Sequence, residues 1–133
     1  MGVAVIFRCA AAEACGPIEN IDVYFPKDSA VISPEQLRRL SIWTVDLLKK
    51  YPWHSYIVLS ANVQSDEHDV MQLGRQRELA VRLALIDMNF TRAPVHVADR
   101  IYVRAINGLG GALSEDVKRV ELGLAPDCTQ YSR

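Results

Sequence analysis

No apolar run in the sequence approaches the roughly 20 residues of a membrane span. The opening Gly2-Val3-Ala4-Val5-Ile6-Phe7 is cut by Arg8 before it reaches the length of a secretory h-region, so no transmembrane segment is expected. Basic charge is not in excess either: 15 Lys and Arg stand against 16 Asp and Glu, a net charge of −1. A nucleic-acid surface needs positive charge gathered on one face, and nucleic acid is excluded as a partner. Cysteine is scarce. Cys9, Cys15 and Cys128 lie toward the two ends at spacings that match no zinc pattern. One disulfide with a free thiol and three reduced thiols are both compatible with that count. His54, His68 and His96 are scattered, and the sequence gives no sign of a serine or cysteine paired with one as a nucleophile. Asn107-Gly108-Leu109-Gly110-Gly111 lacks the lysine and the strand-to-helix setting of a phosphate loop, and reads as a hinge or hairpin turn. Internal repeats and low-complexity tracts are absent. These absences leave no catalytic residue, metal site or cofactor to name, and the expected class is a non-enzyme.

What is present is a globular chain. Half of its 133 residues are hydrophobic, enough to build one core but not two. Residues 1–18 form an N-terminal segment with an optional extra strand, 19–126 the domain, and 127–133 a tail. Within the first segment, Ala12-Glu13-Ala14-Cys15 has the outline of a lipoprotein cleavage box, in which Glu13 is out of place.

Ile21-Asp22-Val23-Tyr24-Phe25 reads as the first strand, stopped by Pro26. Ser33-Pro34-Glu35-Gln36 opens a helix, with a cap residue, proline at the first helical position and Gln36 where a capping box places Glu or Gln. Leu37, Leu40, Thr44, Leu47, Leu48 and Tyr51 fall on its buried face, Trp43 lies off that face, and Pro52 ends the helix. Tyr56-Ile57-Val58-Leu59 is a strand of the kind covered on both faces. The loop 60–68 follows, then a helix from about Asp69 to about Met88. Residues 95–97 and 101–103 form one strand bent at Asp99, and 117–124 the last strand, alternating charged and apolar. The order β-α-β-α-β-β implies an α/β (α+β) two-layer sandwich, two helices on one face of a mixed sheet.

One residue breaks the pattern. Val70, Leu73, Ala80, Val81, Ala84 and Met88 share one face of the second helix, and Arg77 falls in the middle of it. A charge is almost never buried alone. Arg77 either snorkels past the sheet edge, holds an anion, or makes a structural ion pair with Glu121, Asp28 or a loop acid. Asp66-Glu67-His68-Asp69 offers acids, but adjacent loop residues cannot all turn toward one metal ion. The expectation there is a solvated loop and helix cap.

Four pieces in order resemble the OmpA C-terminal-like family of peptidoglycan-associating domains. They are Val23-Tyr24-Phe25 with Asp28-Ser29-Ala30 and Pro34; the strand 56–59; Leu73-Gly74-Arg75-Gln76-Arg77-Glu78-Leu79-Ala80-Val81, where the family has Leu-Ser-x-x-Arg-Ala-x-x-Val; and Lys118-Arg119-Val120-Glu121-Leu122, where it has Arg-Arg-Val-Glu-Leu/Ile. The resemblance implies that Arg77 stands where the family's arginine grips the diaminopimelate carboxylate of the peptidoglycan stem peptide. It also implies ligand-binding positions at Asn62, where the family has an aspartate for the ligand's amino end, and at Arg119. This chain lacks that aspartate: Asn62, or Val63 in the alternative alignment, carries no charge. The loop glycine is missing too, and the first arginine of the last motif is Lys118. An ammonium facing a neutral amide forfeits about 1.5–3 kcal/mol, so peptidoglycan binding is expected to be weak or lost unless another acid, such as Asp66 or Asp69 further along the loop, takes the aspartate's place. The resemblance then implies a periplasmic or outer-membrane-associated envelope domain. Its partners would be other envelope proteins, in an assembly such as a secretion system, with wall anchoring as the alternative.

Overall fold

The computed structural model describes residues 17–105 and 117–127. The expected N-terminal strand, the cleavage box, all three cysteines and the 107–111 loop lie outside those residues. In chain order the elements are β1 (Glu19–Tyr24), α1 (Pro34–Lys50), β2 (His54–Gln64), α2 (Val70–Asp87), β3 (Val95–Val97), β4 (Tyr102–Arg104) and β5 (Arg119–Pro126). The fold is an α+β sandwich: two helices on a mixed, open five-stranded sheet.

The sheet order is β1-β5-β2-β3, with β4 also on β2. β5 runs antiparallel to both neighbours, pairing Val23 with Val120 on one side and Ala61 with Val120 on the other. β1 and β2 are therefore parallel, and the loops that leave them, 25–33 and 65–69, emerge at the same end of the sheet. Alternation along β2 sends Ile57, Leu59, Ala61 and Val63, all fully buried, to the helix side. They meet Leu40 and Leu47 of α1 and Val81 and Leu85 of α2 in one core.

α1 begins as its sequence implies. The Ser33 hydroxyl accepts from the Gln36 amide at 3.2 Å, with Pro34 at the first helical position. The Gln36 side chain does not return to the cap, however. It accepts the outward amide of Tyr24 at 3.0 Å, while Arg39 donates to the Asp22 carbonyl at 2.8 Å. Two helix side chains thus occupy the free edge of β1, which a second strand would otherwise use. Leu40, Thr44, Leu47 and Tyr51 are buried, but Leu37 is 37% exposed, a departure from the expected face. Trp43 packs beside Phe90, with ring centroids 5.9 Å apart.

The strand expected to bend at Asp99 is two strands. Both pair with β2 in parallel, but β2 passes only from Leu59 to Asn62 while the partner chain passes from Val97 to Tyr102. The surplus residues loop over α2. Ile101 is buried against Gly74, where an added Cβ would sit 2.5 Å from Ile101 Cγ2. Arg75 holds the break by donating to the carbonyls of Ala98 at 3.3 Å and Asp99 at 3.0 Å.

Candidate functional site

α2 turns Arg77 into the core, where it is wholly buried. Its guanidinium lies 5.3 Å from the centre of the Phe25 ring. Nε donates to the Ser29 carbonyl at 2.8 Å and Nη2 to the Pro26 carbonyl at 3.1 Å, both in the β1–α1 loop. The remaining bonds go to Glu67 of the β2–α2 loop: Nη1 to Oε1 at 3.0 Å, and Nη2 to Oε2. This is a bidentate, fully desolvated fork. Glu67 is equally enclosed. Oε1 also accepts the Gln64 amide at 2.9 Å, and Oε2 the Asp28 amide at 2.8 Å. Burial alone would raise the Glu67 carboxyl; the hydrogen bonds from Arg77, Gln64 and Asp28 and the charge of Arg77 outweigh it, and hold the group below its ordinary 4.5.

Further contacts join the same two loops. Lys27 pairs with Asp66 at 2.8 Å, and the Asp28 carboxylate accepts the His68 amide at 2.7 Å. Asp28 and Asp69 take positive φ, 61° and 51°, a conformation that aspartate tolerates better than most side chains. The expectation of a solvated 66–69 loop with an Asp69 cap is corrected here. Glu67 is drawn inside by Arg77, and Asp69 occupies the N-cap position in a left-handed conformation with no capping bond from its side chain.

Asn62 and Arg119 lie elsewhere. They are register partners on β2 and β5, and their neighbours Ala61, Val63 and Val120 face the helices, so both side chains belong to the opposite face of the sheet from Arg77. There they share one acid. Asn62 Nδ2 donates to Glu121 Oε2 at 3.2 Å and Arg119 Nη2 to the same oxygen at 3.0 Å, while Arg119 Nε lies 3.7 Å from Asp22. Asn62 Oδ1 accepts from Arg104 at 3.3 Å. The fold thus brings Asn62 and Arg119 together and separates both from Arg77. Val63, the alternative aligned position, is buried in the core. Glu121, one acid considered for Arg77, serves Asn62 and Arg119 instead. Glu67 is the residue that sequence reading did not single out. Its signal was the misplaced arginine itself, which demands an anion, in a chain whose preceding loop carries three acids.

Among the described residues, no three His, Cys, Asp or Glu gather as metal ligands. None of the described helices is long and apolar enough to cross a membrane.

No protein-family model matches the sequence, and none of the curated proteins matches it. Solved structures do. The OmpA-like domain of FopA1 from Francisella tularensis aligns over 82% of this chain and 73% of its own, with a TM-score of 0.57 and 16% identity. The periplasmic domain of Helicobacter pylori MotB (residues 78–256) aligns over 86% and 79%, with a TM-score of 0.60 and 14% identity. The cell wall anchor of the T6SS from Pseudomonas aeruginosa aligns over 83% and 81%, with a TM-score of 0.56 and 15% identity. The sheet, the helix pair and these likenesses agree: the chain has the OmpA C-terminal-like fold.

Proposed function

We propose that the protein is a non-enzymatic domain of the bacterial cell envelope, facing the periplasm, that serves as a structural or docking subunit of an envelope assembly such as a secretion system. One observation carries this reading. The arginine at the family's ligand-gripping position is wholly buried and already holds a carboxylate, that of Glu67 in its own chain. Glu67 is in effect an internal ligand: it presents two oxygens to the guanidinium fork as an incoming carboxylate would. The other half of a zwitterion clamp is missing as well, since Asn62 is neutral and faces away across the sheet. The names of the structural neighbours, a periplasmic domain of MotB and a T6SS cell wall anchor, support an envelope setting. Wall anchoring is the second reading. It is favoured by the retained arginine and by the name of the T6SS neighbour, and it requires Glu67 to leave Arg77 for a peptidoglycan carboxylate.

Calorimetric titration with a diaminopimelate-containing muropeptide separates the two. The expected result is no saturable heat up to millimolar ligand. Saturable binding to the wild type that Arg77→Lys abolishes, in a variant whose circular dichroism is unchanged, would overturn the proposal in favour of the wall anchor.

A further inference from the structure

The helix layer carries apolar side chains on its outer side as well as toward the core. Opposite the core, α2 exposes about half of each of Leu79, Leu83 and Ile86, and α1 exposes Ile42 at 56% and Val45 at 44%. A helix on the outside of a two-layer sandwich ordinarily turns a polar face outward. Between the helices runs a groove of about 650 Å³ with Ala80, Ala84 and Met88 along its floor and Leu37 and Leu83 on its walls. Two charged residues, Arg38 from α1 and Asp87 from α2, line the same groove. Among the described residues neither makes an ion pair or a side-chain hydrogen bond.

We infer that this face is the docking surface for a second copy of the chain. The charges select that occupant. A two-fold axis over the groove sets Arg38 of one protomer against Asp87 of its partner, and Asp87 of the first against Arg38 of the second, so one operation answers both charges of each protomer. A partner patch of single sign would meet one of the two as a like charge. Helices of 17 and 18 residues are roughly 26 Å long and about 10 Å wide each, a projected face on the order of 500 Å² before its corrugation is counted. A standard interface takes about 800 Å² from each partner, so this smaller face suits a weak, concentration-dependent dimer. One rival route to a dimer, strand pairing at the edge of β1, is obstructed by Gln36 and Arg39. The surface is independent of Arg77 and Glu67, and the inference stands apart from the ligand-site reading.

Sedimentation equilibrium on the full chain, from low micromolar to millimolar concentration, tests it. A monomer–dimer equilibrium is expected, with Leu83→Asp monomeric and unchanged in circular dichroism. Arg38→Asp and Asp87→Arg, taken singly, each place two like-charge contacts in the interface and weaken the dimer by about tenfold. The double reversal returns it to near the wild-type value. A wild type that stays monomeric at millimolar concentration overturns the inference. So does a dimer indifferent to Leu83→Asp, or single reversals that the double variant does not rescue.

Discussion

Replacing Glu67 by glutamine keeps the shape of the side chain and removes its charge. In the wild type two carboxylate oxygens receive four donors, two from Arg77 and one each from the Gln64 and Asp28 amides. Glutamine offers one acceptor oxygen. Its amide nitrogen must face at least one of those donors, in a site closed to bulk solvent. Arg77 keeps the carbonyls of Pro26 and Ser29 but loses its counter-charge. Breaking a buried pair on one side costs about 3–5 kcal/mol, a large share of the 5–15 kcal/mol that typically holds a domain of this size. Urea unfolding followed by circular dichroism, at pH 7, is the assay. The midpoint should fall by that amount with the slope unchanged. Arg77→Met should cost a similar amount, since it strips the buried Glu67 carboxylate of its counter-charge and two of its four donors, and takes one donor each from the Ser29 and Pro26 carbonyls. The double variant should fall short of the sum of the singles by at least about 2 kcal/mol, because each single already forfeits the shared contact. A Glu67→Gln cost below about 1 kcal/mol, the scale of an exposed pair, would refute the reasoning and show that the fork does not clasp the loops in solution.

The same pair sets an acid limit. Its carboxyl is depressed in the fold, so its contribution is fully present above the unfolded value near 4.5 and is lost as pH falls through the folded one; the midpoint-against-pH curve of Glu67→Gln should be flatter in that region than the wild type's. His54 acts in a higher window. Burial pushes its imidazole below the ordinary 6.5, helped by Arg92, against the opposing pull of the Leu47 and Tyr51 carbonyls. Those carbonyls lie outside full hydrogen-bond geometry, and among the described residues neither ring nitrogen has a partner within it. The unfolded chain therefore takes up a proton that the folded chain refuses, and stability should decline as pH drops below 6.5, less so in His54→Leu. Gly74→Ala should destabilise despite its better helix propensity. The new methyl would stand 2.5 and 2.8 Å from two carbons of Ile101, an overpacking cost of about 1–3 kcal/mol against a propensity gain of about 1. Ile101→Val, made in that background, should recover part of the loss in thermal unfolding.

The elements that were legible in sequence are those whose signals are local. Ser33-Pro34 marks the start of α1, and Arg77 announces itself by its place on an apolar stripe. The length of β2 was not legible. Its sequence signal, β-branched and apolar, ends at Leu59, yet the strand continues through Ser60, Ala61 and Asn62 to Gln64. Those residues are held extended by pairing with Glu121, Val120 and Arg119 of β5 and with β4, contacts about 40 to 60 residues away in sequence. That extension puts Asn62 on the far face of the sheet. A loop at 60–68, as composition alone suggests, would have left it free to approach Arg77. The break between β3 and β4 is likewise set from outside, by the room that Gly74 leaves for Ile101. Among Asp66, Glu67 and Asp69, only the fold decides which acid faces inward, because neighbouring residues in an irregular loop carry no periodicity to choose between them.

The position of β5 has a consequence for how the domain comes into being. The last strand of the described chain lies between β1 and β2, pairing with both along most of its length. Without it, β1 has no strand partner among the described residues and β2 loses one whole side of its ladder. A polypeptide emerging N-terminus first, from a ribosome or through a membrane channel, therefore cannot close the sheet until Pro126 is out. Until then the helices have only part of a surface to pack on. Such late, long-range closure makes folding slow and leaves the growing chain extended and unguarded. Removal of the final strand would leave two unpaired edges, not a smaller domain.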